Sequence, residues 1–160
     1  MHVNIKRVPA MVVLLLLWSS KPAFAQYQRT VNDLDSLIQK HPKPVLMVLG
    51  TEWCSYCSMQ KNIIQKLLQS DTTAANRLYY VPFNAEIKDA VQFLGQTFTY
   101  TATGKDKGVH AFARFLNRNA PISYPTLVLL DPKGNVIYRH PGLVTKDQMR
   151  IILDHLAGLI

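Results

Sequence analysis

Glu52-Trp53-Cys54-Ser55-Tyr56-Cys57 holds the only two cysteines of this 160-residue chain, three positions apart. An apolar run, Val45-Leu46-Met47-Val48-Leu49, leads into it. A helical pattern leads out, with Met59, Ile63, Ile64, Leu67 and Leu68 on one face. The reading is a buried strand that hands over to a helix, with the dithiol at the helix start. Backbone N–H groups there lack partners, and the helix dipole favours negative charge. A thiolate is such a charge and is the reactive form of cysteine. The pair is therefore a candidate redox couple.

The N-terminus bears on the compartment. Lys6 and Arg7 precede an apolar stretch over residues 8–18, interrupted by Pro9, and then the small-residue site Ala23-Phe24-Ala25. That order reads as a secretory signal over residues 1–25, cleaved between Ala25 and Gln26. The apolar stretch is short for a transmembrane helix, and an uncleaved membrane anchor is the alternative. No cysteine stands near the cleavage site to take a lipid, which excludes a lipoprotein.

Residues 26–160 would form a single domain, long enough for a real core. Without Lys6, Arg7 and Lys21, the 18 basic residues become 15 against 10 acidic ones. They are scattered, whereas nucleic-acid binding needs a clustered basic face, so no nucleic-acid partner is expected. A single close cysteine pair does not make a disulfide-stapled scaffold either.

Along this domain the pattern predicts a helix over 31–39, a strand over 45–49, a helix over 54–69 and a strand over 78–83. Pro82 places the second strand at an edge or a bulge. A short helix over 87–94, a Thr-rich loop or small hairpin over 97–108 and a helix over 109–116 follow, the last with Phe112, Phe115 and Leu116 inward. A strand over 126–130 turns at Asp131-Pro132-Lys133-Gly134 into a strand over 136–138. A closing helix over 145–159 buries Met149, Ile152, Leu153 and Leu156. The expected class is α/β, a mixed sheet of four or five strands with helices on both faces.

With these elements in place the chain resembles the thioredoxin-fold family, over nearly the whole of residues 26–160. Three separated features carry the resemblance. Trp53-Cys54-Ser55-Tyr56-Cys57 matches the family's W-C-x-x-C at the strand-to-helix junction. Tyr124-Pro125-Thr126 precedes an apolar strand, as the family's cis-proline does. Gly142 follows the last strand, ahead of the closing helix. The chain also departs from the family. Val48 stands where cytosolic thioredoxins bury an aspartate, with Glu52 as a more superficial substitute. The dipeptide between the cysteines is Ser-Tyr, extra length falls at about 88–107, and no clear first strand precedes Val31.

The resemblance implies that Cys54 is the nucleophile and Cys57, one turn inside, the resolving thiol. Trp53 would form an apolar wall beside the sulfur, or simply pack in the core. Pro125 would carry a cis peptide bond and expose the Tyr124 backbone to clients, or simply start a strand in trans. Ser55, Tyr56, Tyr124 and Gly142 would line the client side. No cofactor is expected beyond the Cys54–Cys57 disulfide itself. No metal is expected, because structural zinc takes four ligands and His110, His140 and His155 stand apart in the sequence; copper carriage through Met47 or Met59 is a weaker reading. An inert structural disulfide would close too short a loop to restrain the unfolded chain much.

The reading is therefore a monomeric periplasmic thiol:disulfide oxidoreductase. Its protein clients would bear disulfides or thiols, the reducing direction is favoured, and electrons would come from a membrane-bound redox partner. A non-catalytic peptide-binding module and a metal chaperone are the alternatives.

Overall fold

The computed structural model describes residues 28–105 and 107–157. The expected signal segment, 1–25, lies outside them. The elements are α1 (Val31–Lys40), β1 (Val45–Gly50), α2 (Ser55–Ser70), α3 (Thr72–Arg77), β2 (Tyr79–Asn84), β3 (Val91–Phe93), β4 (Gln96–Phe98), β5 (Tyr100–Gly104), β6 (Lys107–His110), α4 (Ala111–Leu116), β7 (Thr126–Leu130), β8 (Val136–Pro141) and α5 (Lys146–Ala157).

All six residues of β1 are buried, because β1 lies inside a four-stranded sheet of order β2-β1-β7-β8. It pairs parallel to β2 and antiparallel to β7, and β7 pairs antiparallel to β8. Strand side chains alternate between faces, so β1 feeds two cores. Val45, Met47 and Leu49 join Val31 and Leu34 of α1 and Phe112 of α4. Leu46 and Val48 join Ile64, Leu67 and Leu68 of α2 and Met149, Leu153 and Leu156 of α5. A strand with helices on both faces reads as a continuous apolar run, and Val45-Leu46-Met47-Val48-Leu49 is one.

Among the described residues, the chain ahead of α1 meets the sheet at one bridge. Gln28 pairs parallel with Tyr80, and the Arg29 N–H donates to the Tyr80 carbonyl at 2.9 Å. The edge position expected from Pro82 is where β2 lies, apart from that bridge.

Residues 87–94 do not form the expected helix. Val91 and Phe93 are buried while Gln92 is exposed, the period of a strand. Backbone donors are claimed from outside: the Gln92 N–H donates to the Asn32 side chain at 2.8 Å, and the Leu94 and Gly95 N–H groups donate to the Asp35 carboxylate at 2.7 and 3.2 Å. Leu94 and Gly95 take φ of +50° and +70° and form a two-residue turn between β3 and β4, the conformation such hairpins require. β5 and β6 form a second hairpin. The extra length is thus two self-paired hairpins that add no strand to the main sheet.

Val109 and His110 belong to β6, so the helix expected over 109–116 starts at Ala111. Phe112 is wholly buried, with its ring within 5.2–5.3 Å of Phe83, Phe93 and Phe98. Phe115, expected inward, is 40% exposed at the rim of this cluster. Met59 also departs from expectation, at 48% exposed. The buried stripe of α2 runs through Cys57, Gln60, Ile64, Leu67 and Leu68, and a polar residue inside it misled the hydrophobic period. Gln60 is held there because its side-chain oxygen accepts the Val144 N–H at 2.7 Å.

Asp35→Ala would leave two turn N–H groups without their carboxylate. The cost should be about 1–2 kcal/mol, with faster amide exchange at Leu94 and Gly95 and little change at Cys57. Unchanged exchange at Leu94 would show that the carboxylate does not hold the turn.

Candidate redox site

Gly50, the last residue of β1, sets how closely α2 approaches. A Cβ placed on it would lie 2.9 Å from Cys57 Sγ, so only glycine fits without movement. Cys54 is the N-cap of α2 in extended conformation. Its Sγ accepts the Cys57 N–H at 3.1 Å. The two cysteines are joined, with an S–S distance of 2.11 Å. Cys54 keeps 5% of its surface and Cys57 none. The two sulfurs are therefore unequal: one at a helix start with a backbone donor aimed at it, the other beneath.

Trp53 is 71% exposed, which rules out the core-packing reading. Its indole N–H donates to Glu86 at 3.0 Å. Its ring meets Tyr124 edge-on, centroids 6.3 Å apart and planes at 80°. Glu52 is exposed and accepts from the Asn84 side-chain amide at 3.4 Å, and Oδ1 of Asn84 accepts the Glu86 N–H at 3.0 Å. Ser55 and Tyr56 are exposed on the first turn of α2.

On the facing loop the Tyr124–Pro125 peptide bond is cis, and Pro125 is buried. The Gly142 N–H donates to the Pro125 carbonyl at 2.7 Å. Gly142 has φ of +95°, and a Cβ there would meet nothing within 4 Å. Its glycine serves the left-handed backbone, whereas the close approach is at Gly50. The Tyr124 hydroxyl is buried without a hydrogen-bond partner. Burial, and then the Glu86 carboxylate, push its pKa above the usual phenol value.

Val48 sits among apolar side chains beneath α2. No Asp or Glu is buried among the described residues, and Glu52, the residue nearest in sequence, points to Asn84. An interior carboxylate is therefore not replaced. Met47 lies in the core, and no three His, Cys, Asp or Glu side chains gather into a metal site among the described residues.

The structure thus brings Glu52, Trp53, Cys54, Cys57, Tyr124, Pro125 and Gly142 into one region through these contacts. Sequence reading missed Gly50, Asn84, Gln60 and Glu86. Gly50 had a signal, as a glycine ending an apolar run just before the cysteines. Glu86 had none, being a loop residue whose role depends on where residues 85–89 lie.

The sequence model of a thioredoxin-like domain matches residues 31–157. The chain belongs to the thioredoxin-like family. A thioredoxin-like protein of Bacillus subtilis (strain 168), YneN, is 28% identical over 127 residues, covering 77% of this chain and 71% of that protein. A solved thioredoxin-fold protein from Helicobacter pylori superposes with a TM-score of 0.54 at 21% identity, covering 82% of this chain and 74% of its own. Chloroplastic thioredoxin z superposes at 0.51 with 11% identity, covering 82% and 93%. These two structures show the shared fold. A thioredoxin-like domain with a Cys54–Cys57 pair at a helix start is equipped for thiol–disulfide exchange, and thioredoxin-fold proteins generally act on protein thiols.

Gly50→Ala should cost about 1–3 kcal/mol, because the cysteine pair above it cannot move aside freely. Equilibrium denaturation checks this, and a variant as stable as the parent would mean that the contact relaxes without strain.

Proposed function

We propose that this protein is an exported thiol:disulfide oxidoreductase that reduces disulfides in protein clients. The observation that carries the reading is the inequality of the two sulfurs. Cys54, expected to be exposed, keeps only 5% of its surface but has the Cys57 N–H aimed at its Sγ, and Cys57 is wholly buried one turn inside.

In the reduced protein the Cys54 thiolate attacks one sulfur of a client disulfide. An S–S bond forms to Cys54, the client S–S bond breaks, and the client's other sulfur leaves as a thiolate that takes up a proton. Cys57 then loses its proton and attacks Cys54 Sγ. The mixed disulfide breaks, the client leaves with two thiols, and the protein holds the Cys54–Cys57 bond. Two electrons have passed from the dithiol to the client. No carboxylate is buried among the described residues to take the Cys57 proton, so the departing client thiolate is the natural acceptor.

Exposed Trp53 and half-buried Tyr124 flank this chemistry as an aromatic edge. Pro125 has no N–H to compete for a client carbonyl, so an extended client can pair along the Tyr124 backbone. Ser55, Tyr56 and Gly142 complete the client side. The reducing direction is favoured because neither Ser55 nor Tyr56, between the cysteines, carries a positive charge. Strong oxidants stabilise their thiolate more heavily than one backbone donor does. A reductase in an oxidising compartment needs a supply of electrons, and a membrane-bound dithiol donor is the partner class that meets the need.

Replacing the resolving thiol tests the mechanism. Cys57→Ser should leave clients and the electron donor trapped on Cys54 as adducts that dithiothreitol releases. Cys54→Ser should trap little, and both variants should lose insulin reduction. Equal trapping, or none, would overturn the reading.

Export rests on the order of Lys6, Arg7, the apolar stretch and Ala23-Phe24-Ala25. The periplasmic form should have the intact mass of residues 26–160. A protein recovered only with Met1, in membranes, would favour the anchor.

A further inference from the structure

His110 is a wholly buried ionisable side chain outside the redox site, and both of its ring nitrogens are committed. The Phe112 N–H donates to Nδ1 at 3.1 Å, which makes His110 the N-cap of α4. Nε2 lies 3.1 Å from the Asp89 carbonyl oxygen. A carbonyl only accepts, and an N–H only donates. The ring is therefore the neutral tautomer with its proton on Nε2. The His110 backbone N–H also donates to the Ala85 carbonyl at 2.8 Å. Both ends of residues 85–89 are thus tied to one residue at the end of the extra hairpins. That loop carries Glu86, which accepts the Trp53 indole N–H.

We propose that His110 is a positioning residue for the redox site: its neutral ring holds residues 85–89 in place, and through Glu86 sets the Trp53 edge beside Cys54. A second proton would have to sit on Nδ1, opposite the Phe112 N–H. It would remove the cap and set two donors against each other. Acidification should then loosen the loop and release Trp53.

The surroundings fit this direction. The ring packs edge-on against Phe83, centroids 5.3 Å apart. The ionisable groups on the elements around it are Tyr79 and Tyr80 on β2, Glu86, Lys88 and Asp89 on the loop, Tyr100 on β5, Lys107 on β6 and Arg114 on α4. Lys88 is turned to the Tyr100 ring, 3.5 Å from its centroid, and the ring nitrogens of His110 meet backbone groups only. Burial holds the imidazole pKa below its usual 6.5. A base with a lowered folded pKa contributes stability above its unfolded pKa and loses it as pH falls. The latch is therefore closed at neutral pH and loosens as pH falls below the usual imidazole range.

The inference rests on the redox reading only for its effect on turnover, so the test reads Trp53 directly. In the full chain, nitrogen-edited NMR follows the His110 imidazole and the Trp53 indole N–H across pH 4.5–8 (the indole signal is the one lost in Trp53→Phe). The two should change together, with one midpoint below 6.5. His110→Gln can accept from Phe112 and donate to Asp89 but does not titrate, so it should hold the Trp53 signal in place and flatten this pH step. His110→Ala should shift the Trp53 signal at neutral pH, speed its exchange about 2- to 10-fold, and raise the KM for a disulfide client more than it lowers kcat. Glu86→Ala should produce the same Trp53 shift, and His110→Ala should add nothing to it. If His110 titrates while Trp53 does not respond, or if the His110→Ala and Glu86→Ala effects simply add, the proposal is overturned. Should His110→Ala fail to fold, the wild-type titration and His110→Gln decide alone. Should no client be reduced at all, the Trp53 signal still tests the latch while the redox reading falls separately.

Discussion

The site hangs on the hydrogen at Gly50 that stands where any other residue carries a Cβ. Because that space is empty, Cys57 settles directly against the end of the central strand. β1 is buried on both faces and paired on both edges, so whatever rests on its last residue is held firmly. The first turn of α2 rests there, and with it Cys54 as N-cap. The Gly50 carbonyl accepts the Ala85 N–H at 2.8 Å, which brings residues 85–89 to the same place. One small residue thus sets the seating of the helix, the depth of the inner sulfur and the start of the loop that holds Trp53. Neighbouring Thr51 also keeps its side chain inside.

The main sheet was legible because its physics is local. Val45-Leu46-Met47-Val48-Leu49 is apolar at every position, as a strand covered on both faces must be. Thr126-Leu127-Val128-Leu129-Leu130 repeats that pattern, and Asp131-Pro132-Lys133-Gly134 makes the turn after it: the Asp131 carboxylate accepts from the Lys133 and Asn135 N–H groups. The cysteine pair was legible because its spacing matches a helix start. Where one position decided a face, reading by hydrophobic period failed. Gln60 lies in the buried stripe and Met59 outside it, and only the Val144 N–H, 84 residues away, explains why.

The segment from Val91 to His110 was the least legible part. Its strands are short, and β4 and β5 do not alternate between buried and exposed positions. What decides its shape is mostly distant: Asn32 and Asp35 on α1 claim the N–H groups of Gln92, Leu94 and Gly95 from some 60 residues earlier. A propensity read along residues 87–94 alone favours a helix, because the acceptors that forbid one are elsewhere. The same holds for Glu86 and His110. Each is an ordinary loop or strand residue until the chain is folded. They become a connected pair because the inserted hairpins end against the loop whose first residue, Ala85, is tied to Gly50, which is also how extra length far from the cysteines comes to touch their surroundings.

The hydrogen bond from the Cys57 N–H to Cys54 Sγ already exists in the disulfide form, where the sulfur carries no formal charge. The amide is oriented by the helix, and folding alone puts it in place. When the bond to the partner sulfur breaks and negative charge collects on Cys54, the donor is waiting, and no solvent or backbone must turn to meet it. Such preorganisation favours whichever step generates charge at that atom. It acts in both directions of exchange, since an attacking thiolate and a departing one pass through the same sulfur. This donor therefore serves the exchange step itself, and the direction of electron flow rests on features other than this one contact.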